Sequence, residues 1–250
     1  MEIFSSYDLQ LYEWLLVILC GMLIGMSKTG LSGAGLFVVP VFAGIFGGKP
    51  SAGLVLPMLI VADFFAVKYY HRHAEWKYVL KLLPWAFAGI VIALLVGNAI
   101  NDEQFRILIA ILVIMGIGLM IFQDVRRNKM SVPDYWWFSA LLGLTGGFAT
   151  MIGNAAGPVM SLYLLSMRLP KNIFIGTGAW FFLIVNLVKF PLHIFFWKTI
   201  TLQSLNLNLL MVIPIITGAI SGFYIVKLFP EKAYRLFIIV STLASAAALF

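Results

Sequence analysis

One acidic residue lies within an apolar stretch of this sequence, and it is the first candidate for chemistry. Among the ten Asp and Glu residues, only Asp63 has apolar neighbours on both sides, in LIVADFFAV. A carboxylate in apolar surroundings is costly unless it is paired or neutralised. Asp63 is therefore a candidate proton carrier. Alternatively, it reaches the end of its helix, or pairs with Lys68 or with a residue of a neighbouring helix.

A glycine-rich stretch around Lys28, GMSKTGLSGAG, is the second candidate. Glycines interrupt a helix and let the backbone approach a ligand closely. The free N–H groups of the next helix, together with an ammonium and two hydroxyl groups, would form an anion site. In the alternative interpretation, Lys28 only anchors its helix at the membrane surface. The predicted binding residues here are Ser27, Lys28, Thr29, Gly30, Gly33 and Gly35.

A matching stretch later in the chain, GFATMIGNAAG, carries no charge. Pro158 follows it directly, and proline favours the first turn of a helix, so a helix again begins at a glycine-rich break. In the alternative interpretation, these small residues only allow helices to pack closely. Two such breaks facing each other are typical of a transporter site. The binding residues predicted from this stretch are Thr150, Gly153, Asn154 and Gly157.

Two further polar residues, Asn186 and Lys189, interrupt the apolar stretch FFLIVNLVKFPLH. They are candidates for lining a pathway, although the long side chain of Lys189 could instead extend to the outer membrane surface. The one cysteine, Cys20, excludes a disulfide framework. It is either a core residue or a soft group near the pathway. We predict no catalytic residue, no metal site and no cofactor.

The composition places these residues in a membrane protein. Apolar residues make up 62% of the 250 residues and charged residues 11%, whereas a soluble domain has about 25% charged residues. The net charge of +7 then indicates topology rather than nucleic-acid binding. We predict an all-α polytopic membrane protein with eight to ten segments. The apolar segments lie at 9–27, 34–47, 51–70, 79–99, 105–123, 135–151, 156–167, 173–196, 205–227 and 233–250.

Two of these segments, 34–47 and 156–167, are too short to span a bilayer without tilting, so they either cross as short helices or re-enter. They occupy equivalent places in an internal repeat, because alignment of Gly25 with Gly147 makes many later residues coincide. We predict two homologous repeats of about five helical elements each, which together form one membrane transport domain. The first repeat covers 1–130, including a cytoplasmic linker, and the second covers 131–250.

An odd number of crossings inverts the second repeat relative to the first. With the acidic N-terminus outside, this inverted arrangement places most of the 17 basic residues on the cytoplasmic side, as the positive-inside rule requires. If the short segments do not cross, the repeats would instead be parallel, and Arg168 and Lys171 would lie on the opposite side from the other basic loops. The charge distribution favours the inverted arrangement.

At these glycine-rich stretches the sequence resembles the sulfite exporter TauE/SafE family, also called the toluene sulfonate uptake permease family. The resemblance covers nearly the whole chain, and it rests on GMSKTGLSGAGLFVVP in the first half and GGFATMIGNAAGPVMSLYLL in the second. It implies a multi-pass permease of the bacterial cytoplasmic (inner) membrane. The substrates that it implies are sulfur-containing oxyanions or organosulfonates.

We therefore expect a secondary transporter, an exporter of small anions such as sulfite or organosulfonates. We expect coupling to the proton motive force through Asp63, with alternating access at the two breaks. Its partners would be the anion, protons and the lipid bilayer, with no nucleic acid; the oligomeric state, including a homodimer, stays open. Three alternatives also stay open: a passive anion channel, a structural or assembly partner, and a membrane-embedded lipid-phosphate enzyme. The enzyme would need Lys28, Asp63 and Lys189 to converge.

Overall fold

The described part of the chain is helical and contains no strand. The computed structural model describes residues 7, 9–31, 34–125, 135–167, 169–228 and 230. Within them the all-α prediction is confirmed, and the helices follow the predicted apolar segments closely. The predicted segment 233–250 and Gly33 lie outside the described residues. The helices are α1 (Leu11–Lys28), α2 (Val38–Phe46, after a 3₁₀ turn at Ala34–Phe37), α3 (Gly48–Tyr70), α4 (Trp76–Ala99), α5 (Asp102–Val125), α6 (Trp136–Gly153), α7 (Gly157–Ser166), α8 (Lys171–Phe195) and α9 (Leu202–Leu228).

Five of the described helices, α1, α3, α4, α8 and α9, are long and apolar enough to cross a membrane. By contrast, α2 and α7 have only 9 and 10 residues. At 1.5 Å per residue they are about 14 and 15 Å long, which is roughly half the thickness of a hydrocarbon core. The predicted short segments are therefore present, and the chain is an integral, multi-pass membrane protein.

Local sequence signals end α1 and α6 beside the two short helices. After α1 the chain turns at Gly30, whose φ of 138° suits only glycine. At the end of α6, Asn154 has a left-handed φ of 55° and its N–H bonds back to the helix, a conformation that asparagine tolerates better than most residues. Helix α7 then begins at Gly157 with Pro158 in its first turn, which confirms the predicted helix start.

Two helix pairs pack most closely, α1 with α9 and α4 with α6. Each crossing depends on glycine: a Cβ at Gly25 would overlap the Ile215 carbonyl oxygen, and one at Gly147 would overlap that of Ala86. Under the predicted repeat, α1 is equivalent to α6 and α4 to α9. Each repeat thus packs its first helix against the fourth helix of the other repeat. This exchange supports the repeat, which remains a prediction together with its inverted orientation.

The crossing of α4 and α6 should not tolerate a side chain at Gly147. We expect Gly147→Ala to lower the unfolding temperature by several degrees, because the new methyl group would force the Ala86 backbone away, at a cost of about 1–3 kcal/mol. Gly44→Ala is the matched control, because a Cβ at Gly44 meets no atom within 4 Å. Thermal unfolding in detergent measures both variants. Equal unfolding temperatures would contradict the close packing.

Contacts between helix termini define two ends of the molecule. At one end, the Asp102 carboxylate accepts hydrogen bonds from the backbone N–H groups of Gly48 and Lys49, at 3.2 and 2.9 Å, and so joins the start of α5 to the start of α3. At the other end, Lys171 Nζ donates to the Val226 carbonyl at 3.1 Å. By the predicted charge distribution, the first is the outer end of the molecule and the second is its inner end.

Candidate functional site

Lys28, the last residue of α1, forms an ion pair with Asp63 in the middle of α3. The Nζ and Oδ1 atoms are 3.0 Å apart, and the carboxylate is fully buried, whereas the lysine side chain is 12% exposed. The ammonium also lies over the Phe182 ring of α8, 4.0 Å from its centroid. Asp63 therefore pairs with a neighbouring helix, as one of the interpretations of the sequence predicted, and not with Lys68.

Helix α8 adds two polar residues to this ion pair. Asn186 and Lys189 are three residues apart and share one face of the helix. The Asn186 amide donates to Asp63 Oδ2 at 2.7 Å, and its carbonyl oxygen accepts from Lys189 Nζ at 3.2 Å. Asn186 therefore connects the carboxylate of the first half to the lysine of the second half.

The end of α6 completes the arrangement. Lys189 Nζ donates to Thr150 Oγ1 at 3.1 Å and to Asn154 Oδ1 at 2.6 Å. The Asn154 amide in turn donates to the Ala52 carbonyl of α3 at 3.0 Å. The left-handed turn at Asn154 thus places a side chain between α3 and α8. We call these six side chains the buried network: Lys28, Asp63, Thr150, Asn154, Asn186 and Lys189.

The charges of the buried network do not balance when all of its groups are ionised. It contains two ammonium groups and one carboxylate, and Lys189 is bound by three neutral oxygen atoms and is fully buried. Buried ions are stable only when they are paired or hydrogen-bonded. In that ionisation state, the surplus positive charge would make this region complementary to an anion nearby.

A cavity of about 100 Å³ adjoins the buried network at Lys28 and Asn154. Lys28 is the only charged residue among the described residues that line it, and Ser27, Asn154 and Ser161 are its polar side chains. Apolar side chains such as Phe174 make up most of the remaining wall. A small pocket with one cation, a few hydrogen-bonding groups and apolar walls suits a small anion.

The structure brings most of the predicted binding residues together. Gly30, Gly35 and Gly157 line the cavity with Lys28, and a Cβ at Gly157 would meet no atom within 4 Å. Glycine at this position therefore leaves the beginning of α7 open. Thr150 contacts the site through Lys189. Gly153 does not line the cavity. It packs closely against Ile109, because a Cβ placed at Gly153 would lie 3.1 Å from Ile109 Cγ1.

The predicted hydroxyl groups have a different role from the expected one. Ser27 Oγ donates to the Ile24 carbonyl at 2.9 Å, and Thr29 Oγ1 donates to the Gly25 carbonyl at 3.1 Å. Both protons are therefore used within α1 and are not free to bind an anion. Thr29 is also fully buried and does not line the cavity.

Burial decides the roles of Lys189 and Cys20. Lys189 has no exposed surface, so the interpretation in which it extends to the outer membrane surface is wrong. Cys20 is buried within an apolar cluster and does not line the cavity, so it is a core residue. Among the described residues there is also no group of three or more His, Cys, Asp or Glu side chains that could hold a metal ion.

Sequence reasoning missed Phe182 and Ser161. Phe182 covers the Lys28 ammonium, but nothing distinguishes it from the other phenylalanines of this sequence. Ser161 is 6% exposed and lines the cavity. A serine within the apolar stretch GPVMSLYLL, four residues after Gly157, was an available signal, because this spacing places both residues on one face of a helix.

Comparison with known proteins identifies one family. Residues 17–249 match the family described as sulfite exporter TauE/SafE. No curated protein and no solved structure matches the sequence.

Proposed function

The chain belongs to the sulfite exporter TauE/SafE family, and on this premise we propose that it exports a small sulfur-containing anion, such as sulfite or an organosulfonate. The family is one of membrane transporters of the sulfite and sulfonate exporter type. The observation that carries the proposal is the Lys28 ammonium, which lies between the cavity and the intramembrane carboxylate of Asp63. We further propose that the membrane is the bacterial cytoplasmic membrane.

The cavity supports binding of the anion beside Lys28. The anion binds the Lys28 ammonium, with the open start of α7 at Gly157 contributing free N–H groups and a positive dipole end. The hydroxyl group of Ser161 and the amide of Asn154 complete the polar wall. Lys189 compensates the negative charge through Asn154, although it does not itself line the cavity.

The ion pair links anion binding to proton binding. While Asp63 is ionised, it occupies Lys28 and repels an anion; once protonated, it releases the ammonium. Each ligand therefore raises the affinity for the other, and the two effects are equal by thermodynamic linkage. A dianion that leaves with one proton carries a net negative charge. An interior-negative potential of 100 mV then favours its exit by about 2.3 kcal/mol.

Two halves that rock against each other would expose this cavity to alternate sides of the membrane. The pairing of α3 with α8 through Asp63 and Asn186 lies where the predicted repeats meet. Movement of one repeat would therefore change the surroundings of the ion pair and of the bound anion together. A passive channel would lack this dependence, and its flux would not respond to a proton gradient.

The lipid-phosphate enzyme meets its geometric condition, because Lys28, Asp63 and Lys189 do converge. Membership of a transporter family favours transport over this enzyme. The contacts of the charged groups also favour transport, because the two ammonium groups and the carboxylate are bound to one another or to amide and hydroxyl groups. An acid or base is more effective when it faces the reacting group.

A cavity-filling variant tests the proposal without disturbing the ion pair. We expect Gly178→Leu to reduce sulfite and organosulfonate flux into proteoliposomes at least about tenfold, because the larger side chain enters the cavity that Gly178 lines. A Cβ there makes only an ordinary contact of 3.6 Å with Leu164, so the unfolding temperature should change little. Gly44→Leu, on an exposed face away from the cavity, is the control.

Unchanged flux in Gly178→Leu would contradict transport through this cavity. Flux that is lost equally in the Gly44→Leu control would indicate damage to the fold instead, and would not support the proposal. With sulfite as the substrate, the wild-type protein should also respond to an imposed membrane potential, because a dianion that leaves with one proton keeps a net negative charge.

A further inference from the structure

A buried histidine lies on the outer side of the buried network and has no role in anion binding. His193, in the last turn of α8, has no exposed surface. Its Nδ1 atom is 2.8 Å from Thr199 Oγ1, whereas its Nε2 atom is buried and has no hydrogen-bond partner. Burial of a ring nitrogen without a partner is unfavourable, so it calls for an explanation.

His193 lies on the same helix as the cavity residues and the buried network, nearer the outer end of the molecule. Phe174 and Phe182, in the first half of the helix, line the cavity. Asn186 and Lys189 belong to the buried network, and His193 follows Lys189 by four residues, about 6 Å farther along the same face. The helix therefore carries, from the inner to the outer end, the anion cavity, the buried network and the histidine.

Thr199 connects this ring to the outer end of the molecule. Thr199 is only partly buried, whereas His193 is fully buried. The loop is fixed by a hydrogen bond of 3.0 Å from the Thr199 N–H to the His193 carbonyl, and it packs so tightly on α3 that a Cβ at Gly53 would overlap the Thr199 side chain. The hydroxyl group is thus held between the exterior and Nδ1.

The charged groups around His193 come from three helices. Lys189 lies one turn away on α8, and Lys49 at the start of α3 is 5.1 Å from the centroid of the Trp197 ring, which itself packs edge-on against His193 at 4.9 Å. Asp102 and Arg106, at the start of α5, form an exposed ion pair at the same end. No carboxylate contacts the ring among the described residues, so nothing holds a proton on it permanently.

We propose that Thr199 and His193 form the outer proton path to the buried network. A proton released from the buried network is taken up by Nε2, and Nδ1 passes its own proton to Thr199 Oγ1, whose hydroxyl proton leaves to the exterior. One proton enters the ring as one leaves, so the charge of the ring is the same before and after. This path rests on the proposed proton-coupled transport and adds the residues that carry the exported proton outwards.

Transport driven by a pH gradient tests this path when it is compared with anion exchange at equal pH, which needs no net proton flow. We expect His193→Gln to lower the ratio of the gradient-driven rate to the exchange rate about tenfold or more. Glutamine keeps hydrogen-bonding capacity but cannot titrate. His71→Gln is the matched control, because His71 lies exposed at the inner end.

Two substitutions at Thr199 keep the test decisive if His193→Gln folds poorly. Thr199→Ser preserves the hydroxyl group and should keep the ratio, whereas Thr199→Val should lower it. A wild-type ratio in His193→Gln, or equal losses in both rates, would overturn the proton path. If the wild-type protein exchanges anions but ignores the pH gradient, the path is wrong and transport stands. If it moves no sulfite or sulfonate at all, the proposed function fails as well.

Discussion

Replacing Asp63 by Ala is expected to lower the free energy of unfolding by about 3–5 kcal/mol, because it leaves the Lys28 ammonium without its partner in a largely buried position. Lys28→Met should be similarly destabilising, since the carboxylate would then be buried with only the Asn186 amide as its donor. The double variant Lys28→Met/Asp63→Leu should recover most of the loss, because it removes both charges from the apolar interior. Thermal or denaturant unfolding in detergent measures all three variants.

An exposed ion pair of similar length is the internal control for this result. Arg106 Nε lies 3.1 Å from Asp102 Oδ2, but both side chains are about half exposed. Arg106→Gln should therefore cost at most about 1 kcal/mol. Equal losses for Asp63→Ala and Arg106→Gln would contradict the buried pair, as would a double variant that is less stable than either single one. None of the variants at Lys28 or Asp63 should transport.

The sequence predicted the helices well because hydrophobicity alone determines which segments enter a membrane. The predicted segment 173–196 corresponds to α8 at Lys171–Phe195, and 79–99 to α4 at Trp76–Ala99. The largest differences are at helix starts, where polar residues such as Lys171 continue the helix beyond the apolar stretch. Those residues add no hydrophobicity and so leave no signal in a hydropathy pattern.

The partners within the site could not be predicted in the same way. Lys28 and Asp63 stood out because of their residue types and surroundings, but their pairing depends on how α1 crosses α3. The position of α1 depends on close contacts with other helices, such as that of Gly25 with α9, and many glycines in this sequence could provide such a contact. The three-residue spacing of Asn186 and Lys189 is compatible with a shared helix face, but nothing in the sequence shows which carboxylate that face meets.

Lys189 shows how local reasoning goes wrong near a helix end. Lys189 lies seven residues before the end of the predicted segment 173–196, near enough for a long side chain to extend to the membrane surface. In the structure, α8 ends at Phe195 as that segment predicts, and Trp197 folds back with its Nε1 donating to the Leu94 carbonyl at 3.3 Å. The Trp197 ring packs against His193 at this end of α8, and the Lys189 side chain is bound inside by Thr150, Asn154 and Asn186.

The buried network combines a repeated scaffold with unequal charges. The alignment of Gly25 with Gly147 places Thr150 opposite Lys28, and each residue contacts the third helix of its own predicted repeat. In the first half this contact is an ion pair, and in the second it is a lysine bound to a hydroxyl group. When Lys189 is protonated, this asymmetry leaves one positive charge without a carboxylate near the cavity. A second carboxylate, paired with Lys189 as Asp63 is paired with Lys28, would cancel that charge.

Lys189→Met is therefore expected to abolish most of the transport while the protein stays folded. The substitution removes the surplus charge that favours an anion, and it releases Thr150 and Asn154 from the donor that positions them. We expect initial rates of sulfite or sulfonate efflux from proteoliposomes to fall about a hundredfold, which corresponds to about 2.7 kcal/mol. The loss of stability should be smaller than in Asp63→Ala, because removal of a buried charge that has no carboxylate in direct contact offsets the cost of leaving three buried oxygen atoms without their donor.

Lys68→Met provides the matched control, since it removes the same charge from an exposed position on α3. Its efflux rate should stay within about twofold of that of the wild-type protein, because an exposed charge is screened by solvent. Wild-type efflux in Lys189→Met would show that the buried lysine serves only the fold. A loss of efflux together with a large fall in the unfolding temperature would also show that the buried lysine serves the fold. Selective loss of efflux in a stable protein would instead assign the buried lysine, with its charge and the side chains that it positions, to binding of the anion.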